Sequence, residues 1–398
     1  MPLPHILRRL AAVPLLACAT LAATAAPFTP ASDAEVVERL PGRSDPALRS
    51  VDSLRKQLAA RPDDKALRLE IARRYFDLAM AQGDPRYVGY ASAALAPLEK
   101  AAATDAGYWL LRGLVQQYSH DFDGALASLR KSSGLDPQAA DPVAWRAAIH
   151  MVQAKYDDAL GECTRLVPLA DPLLARGCTA YVRATNGQLV SAYGDLATAV
   201  DGTATLAPEL TVWLQTRLGE MAARLQRPAE AEAHFRKALA PGLTDQFLLG
   251  AYADFLIAEK RPAEAIGLLA DWERSDILLL RLALAGRAAG DARAAGWAGQ
   301  LRDRFADAGR RGDRLHEQEA ARFLLDIEGQ PARALEMAQR NYASQKEPRD
   351  AQVLLRAALA ANQPAAAQPA LDWLRTSGYQ DPAFREVADA LVAKGAKR

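Results

Sequence analysis

Five histidines are the first candidates for chemistry: His5, His120, His150, His234 and His316. A zinc site needs three or four nitrogen, sulfur or oxygen ligands that converge, which a sequence shows as H-E-x-x-H or as paired C-x-x-C. Neither spacing occurs, and the four histidines after His5 fall in separate segments. No metal site is therefore expected. The glycines form no G-x-x-x-x-G-K-[ST] loop, no G-x-G-x-x-G and no G-x-S-x-G. A phosphate cradle, a dinucleotide fold and a serine nucleophile are not expected either, and no cofactor follows. Gly83, Gly187, Gly290 and Gly329 instead mark breaks between segments.

The carboxylates cluster as Asp157-Asp158 and Glu230-Ala231-Glu232, which on helical ground reads as a solvated face. Glu230 and His234 lie four apart, the spacing of a local helix pair. Arg302, Arg304, Arg310, Arg311 and Arg314 alternate with Asp303, Asp307, Asp313 and Glu317, so their charges cancel. Residues 302–314 are expected to be a charged, solvated loop that divides the chain. Over all 398 residues, 49 Lys and Arg face 48 Asp and Glu, for a formal net charge of +1. That balance argues against general affinity for nucleic acid or anionic lipid.

Residues 1–25 have the form of a secretory signal. Arg8 and Arg9 precede an apolar run from Leu10 to Leu21, and Ala23-Thr24-Ala25 offers small residues for cleavage before Ala26. The run is short for a membrane span, and no other segment approaches that length without charges, so no transmembrane segment is expected in the mature chain. An exported, periplasmic location follows. Leu15-Leu16-Ala17-Cys18 also resembles a lipoprotein cleavage site, which would anchor the chain through Cys18. Cys163 and Cys178 remain after cleavage. They could pair in an oxidising compartment; the plainer expectation is two small apolar core residues.

These residues must be held by helices. Half of the chain is hydrophobic, Ala and Leu are abundant, and alternating β-branched runs are missing. Residues 26–48, with Pro27, Pro30, Pro41 and Pro46, read as a flexible lead-in. Beyond them, apolar-periodic helices alternate with short breaks, and Pro often closes every second helix. A small residue recurs early in each second helix: Ala91, Ala125, Ala159, Ala192, Ala231, Ala265, Ala295, Ala334 and Ala367. The interval is about 34 residues.

The surroundings of that Ala repeat in three units. Trp109, Gly113, Phe122, Ala125 and Leu129 precede Leu135-Asp136-Pro137; Ala147, Tyr156 and Ala159 precede Asp171-Pro172; Leu218, Gly219, Ala231, Phe235 and Ala238 precede Pro241. Small residues let two antiparallel helices approach while aromatics fill the space beside them. In these residues the chain resembles the tetratricopeptide repeat (TPR) family, most fully between residues 105 and 272. The resemblance implies an all-α, right-handed superhelical solenoid of antiparallel helix pairs. It implies an N-terminal array over 49–301 and further repeats with a capping helix over 315–398.

It also implies that the first helix of each pair lines a concave groove that takes a peptide or protein partner. Leu114, Tyr118, Tyr181, Trp213, Glu220, Arg224, Phe247 and Asp254 project there; Tyr118, Tyr181, Trp213, Glu220, Arg224, Phe247 and Asp254 are the candidate partner-binding set. Chaperone-tail binders of the family use a Lys/Asn clamp, but the matching places hold Leu114, Ala148, Tyr181, Glu220 and Asp254. The implied function is a non-catalytic interaction scaffold of the bacterial cell envelope. The alternatives are a lipid-anchored part of an outer-membrane assembly or export machine, and an enzyme acting on envelope polysaccharide. The enzyme would need Asp254 and Glu220 paired near Trp213 as acid and base.

Overall fold

The structure, a computed structural model, describes residues 46–395 together with Ser32. The expected export signal, residues 1–25, and the lipidation candidate Cys18 lie outside the described residues. The chain divides into two compact units, Met1–Ser44 and Asp45–Arg398, and all the described helices belong to the second. Helix replaces the expected lead-in at Pro46, where α1 (Pro46–Ala60) begins.

Nine antiparallel helix pairs follow α1 among the described residues. They are α2 (Lys65–Gln82) with α3 (Arg86–Leu95), α4 (Ala106–Tyr118) with α5 (Phe122–Leu135), and α6 (Asp141–Val152) with α7 (Tyr156–Leu166). Next come α8 (Pro172–Thr185) with α9 (Leu189–Asp201), α10 (Pro208–Arg224) with α11 (Pro228–Leu239), and α12 (Gln246–Ala258) with α13 (Pro262–Leu268). The last are α14 (Asp276–Ala289) with α15 (Ala294–Arg311), α16 (Glu317–Asp326) with α17 (Pro331–Ser344), and α18 (Pro348–Ala360) with α19 (Gln368–Ser377). Helix α20 (Pro382–Gly395) ends the stack with Phe384, Ala388 and Leu391 turned inward. The fold is a TPR-like helical solenoid.

Local chemistry sets each boundary. Asp64, Asp105, Asp171 and Asp245 cap first helices by accepting from backbone N–H groups two or three residues on. Every turn inside a pair contains one left-handed residue: Gly83, His120, Ala154, Gly187, Gln226, Lys260, Gly290, Gly329 and Asn362, with φ between 55° and 80°. That conformation closes the last turn of the first helix and reverses the chain. Five of the nine are not glycine, which is why a search for Gly finds only part of the repeat.

Close packing follows the small residues. Ala125, Ala159, Ala231, Ala265, Ala334 and Ala367 are fully buried. Ala295 breaks the series and is exposed. In its pair, Gly286 instead packs on Ala294 and on Trp297, whose ring lies 2.8 Å from where a Cβ would stand.

Residues 302–314 are not the expected charged loop. Helix α15 runs unbroken to Arg311, and only Gly312 to His316 connect it to α16. The misreading has a physical cause. This helix buries only Trp297 and Leu301, with Phe305 against Phe323, and from Arg302 onward most of its exposed positions are charged. The charges are paired: Arg302 with Glu328 at 2.6 Å, Arg304 with Asp276 at 2.9 Å, and Arg314 with Glu317 at 3.0 Å. The plainer expectation for the cysteines also fails, because Cys163 in α7 and Cys178 in α8 form a disulfide, with Cα atoms 5.5 Å apart.

Each first helix packs on the next first helix, from α2 through α20, whereas no two second helices touch to that extent among the described residues. The first helices therefore line the inside of the curve. The coil turns far enough to meet itself. Turns inside the early pairs form one edge, and connections between later pairs seat on it. Met80 O accepts from Gln246 Nε2 at 3.0 Å, and Val152 O accepts from the Lys346 amide at 2.7 Å. The Leu189 amide donates to Gln380 Oε1 at 3.0 Å, and Trp373 Nε1 donates to the Tyr156 hydroxyl at 2.7 Å. Gly187 lies so close to the backbone of Ser377 and Gly378 that an added Cβ would stand 3.1 Å from the Ser377 oxygen. Each contact joins segments five or six pairs apart along the chain. An apolar cluster spans the same seam, joining Met151, Tyr156, Cys163 and Val182 to Trp373 and Phe384.

Candidate functional site

The inner face is where the sequence places partner-binding residues, and its side chains are mutually engaged. Tyr181, on α8, lies under the Arg217 guanidinium of α10 at 4.6 Å from the ring centroid. Arg217 also donates to Glu220 at 2.7 Å. Glu347 and Arg349, at the start of α18, are close enough to influence the Tyr181 phenol, which burial pushes above its ordinary value. Residues remote in sequence thus meet inside the coil.

A second set continues along the face. Asp254 on α12 accepts from Arg281 Nε at 3.0 Å and Arg281 Nη2 at 2.6 Å, and its other oxygen lies 3.0 Å from Arg322 on α16. Burial acts to raise this carboxyl, but the two guanidiniums outweigh it and hold it below the ordinary carboxylate range. Arg322 approaches Asp326 at 3.6 Å, and Asp326 accepts from Arg356 on α18 at 2.6 Å. Alternating charges therefore run across α12, α14, α16 and α18.

The remaining expected residues take different roles. Arg224 sits on the seam: it donates to the carbonyls of Gln380 at 3.0 Å and Ala184 at 2.7 Å and stacks over Tyr379 at 3.9 Å. Trp213 packs on α8 at Gly177, where a Cβ would meet its ring at 2.5 Å. Tyr118 is half-buried at the end of α4, and burial raises its phenol. Phe247 is half-buried at the start of α12. Leu114 is fully buried and so lies in the core.

Sequence reasoning missed the arginines that organise this face, Arg217, Arg281, Arg322 and Arg349. Nothing local distinguishes them from solvated helix arginines; only their position on first helices could have singled them out. It also missed one buried ion pair. Arg146 forms a bidentate pair with Glu162 at 3.0 and 2.8 Å and donates to Ser133. His234 and Glu230, read as a local pair, are bridged by Tyr193, whose hydroxyl lies 2.7 Å from Glu230 and 3.1 Å from His234.

A pocket of about 310 Å3 opens on the seam among His120, Phe122, Gln153, Lys155, Ser344 and Lys346. Asp121 and Asp123 line it too and offset its lysines. No helix among the described residues is long and apolar enough to cross a membrane.

No family model and no curated protein matches the chain. Several solved structures are similar. PilF of Pseudomonas aeruginosa shares 21% identity over 52% of this chain and 94% of its own, with a TM-score of 0.38. Human IFIT1, as a dimer with PPP-AAAA, shares 14% over 88% of this chain and 87% of its own, with a TM-score of 0.46. Yeast Tom70 shares 12% over 88% and 95%, with a TM-score of 0.31. The architecture of the chain rests on its own helix pairs rather than on these likenesses.

Proposed function

We propose that the protein is a non-catalytic interaction scaffold of the bacterial cell envelope, holding a peptide or protein segment against the inner face of its coil. One observation carries the proposal. Glu220, Asp254 and Arg349, from three different first helices, keep 36%, 34% and 43% of their side-chain surface accessible although protein surrounds them. An interior serving stability alone would close over apolar side chains. Mixed charges beside Tyr181 and Tyr379 suit an extended peptide, with aromatics supplying contact area and charges setting its direction. Because the seam draws successive turns together, such a segment enters along the coil axis.

Binding is favoured over acid–base catalysis on polysaccharide. Asp254 is held ionised between two arginines and Glu220 is bonded to Arg217, so neither is arranged to give a proton to a glycosidic oxygen. The envelope placement rests on the secretory-signal pattern of residues 1–25.

A photo-crosslinking residue placed at Arg349, in cells with an intact envelope, tests the proposal. The same residue at Val190, 61% exposed on a second helix, is the control. A discrete adduct at 349, lost on adding Glu220→Lys and not formed at 190, is the expected result. No adduct at 349, or equal adducts at both positions, overturns it.

A further inference from the structure

A hydrogen-bond chain crosses the seam between α18 and the α4/α5 turn. Asp350 on α18, 3% exposed, accepts from the Glu347 amide with Oδ2 and from Asn341 Nδ2 with Oδ1, both at 2.9 Å. Asn341, buried near the end of α17, accepts with Oδ1 from Gln345 Nε2 at 2.9 Å. The second N–H of that amide points across the seam to Nδ1 of His120, 3.4 Å away in the α4/α5 turn. His120 is half-buried and stacked on Phe122. The Lys346 amide pins the same connection to Val152 O.

Every link in this chain has a direction. An ionised carboxylate only accepts, so Asn341 must turn its Nδ2 to Asp350 and its Oδ1 to Gln345. Gln345 must then present Nε2, and His120 must meet it with a bare Nδ1 and carry its proton on Nε2. The opposite direction is equally complete once Asp350 holds a proton. Asp350 Oδ1–H then donates to Asn341 Oδ1, Asn341 Nδ2 to Gln345 Oε1, and His120 Nδ1–H to the same Gln345 oxygen. Both amides turn over in place, and Asp350 Oδ2 still accepts from the Glu347 amide. A charged His120 beside an ionised Asp350 fits neither direction, because its Nδ1–H would face the Gln345 N–H.

We propose that this chain is a proton-driven switch in the seam: protonation of Asp350 reverses it and moves the His120 proton from Nε2 to Nδ1. Asp350 takes up one proton from solvent; His120 loses one at Nε2 and gains one at Nδ1, with no net change. His120 can then take a further proton on Nε2 and keep its bond across the seam. With Asp350 ionised, an imidazolium at His120 and the contact to Gln345 exclude each other. The inference does not depend on what the inner face binds.

Both states of Asp350 occur near neutral pH, because burial and then the Glu347 charge push its carboxyl up to about 7. Arg349 acts on it in the opposite sense, and the Tyr342 phenol of α17 also faces it. Around His120, Glu319 and Glu347 favour the imidazolium while His316 and Arg349 oppose it. Asp121, Asp123, Lys155 and Lys346 line the same pocket, two of each sign. These charges offset one another. Burial, which holds the imidazole below its ordinary value, and the bond to Gln345 therefore decide the state of the ring.

NMR of the full chain with isotope-labelled histidine nitrogens tests this, because the Nδ1 and Nε2 shifts report the tautomer directly. His120→Gln assigns the signal, and the signal of the buried His234 shows that each variant is folded. Above the pH at which Asp350 titrates, wild-type His120 should carry its proton on Nε2. As pH falls through that titration, the proton should move to Nδ1 before the imidazolium forms. Asp350→Asn should hold Nδ1–H wherever the ring is neutral, since its carboxamide must turn Oδ1 to the Glu347 amide and so presents Nδ2 to Asn341. Gln345→Ala should abolish the pH-dependent exchange and make the Asp350 and Asp350→Asn backgrounds alike. A single tautomer throughout the Asp350 titration of the wild type overturns the inference. So does Nε2–H in Asp350→Asn, or an exchange that survives Gln345→Ala. The wild-type titration and Gln345→Ala decide the question even if Asp350→Asn does not fold.

Discussion

Burial of single charges decides much of the behaviour of this protein at the residue scale. Asp350 is 3% exposed and accepts from the Glu347 amide and from Asn341 Nδ2, both at 2.9 Å. Burial, and then the nearby Glu347 charge, push its carboxyl up to about 7. In the unfolded chain an aspartate titrates near ~3.9. Between those values the folded state holds a proton that the unfolded state has released. This contribution to stability is complete below the unfolded value and is lost as pH rises through the folded one. Urea unfolding should therefore show stability falling by on the order of 2 kcal/mol between mildly acidic and neutral pH. Asp350→Asn should flatten that slope; an unchanged slope would assign the effect to another group.

Helix elements owe their spacing to a few small residues. Gly219 on α10 faces Phe235 on α11, and a Cβ there would stand 2.9 Å from the ring. Phe235 is 1% exposed and stacked on Tyr252 at 5.1 Å, so it has nowhere to move. Gly219→Ala should cost about 1–3 kcal/mol by overpacking. Gly161 on α7 has nothing within 4 Å of its Cβ position. Gly161→Ala should stabilise by about 0.5–1 kcal/mol through helix propensity. Chemical denaturation of the two variants separates close packing from propensity. The sequence-based choice of Gly113 and Gly219 as packing residues agrees with the structure, because small residues at helical spacing have a steric purpose visible from the chain alone. The choice of Ala295 does not, because α15 meets α14 through Ala294 and Trp297 instead.

For the whole molecule, the disulfide and the seam work on the same region. Cys163 and Cys178 are 15 residues apart and tie α7 to α8, and both pack on the apolar cluster that spans the two turns of coil. Closing a loop of that length restrains the unfolded chain, and removing the bond by Cys163→Ser with Cys178→Ser should lower stability by about 3 kcal/mol. Reduction of the wild type should reproduce the loss. Equal unfolding midpoints for both proteins, with two titratable thiols in the unreduced wild type, would refute the bond.

The sequence alone determined the helices, their pairing and their period, since apolar spacing, small residues and proline stops act within about 34 residues. It also pointed to the first helices as the inner face. It could not tell that Arg302 to Arg311 continue a helix, because paired charges on an exposed helix and on a loop look alike. Nor could it tell that Arg224 would be bound to Gln380 or that Asp254 would sit between Arg281 and Arg322. Those partners lie one or more pairs away, and the curvature summed over successive pairs decides which of them meet. The seam has the same origin. A small rotation at each pair is invisible in any one repeat, yet it brings Val152 to Lys346 and Leu189 to Gln380.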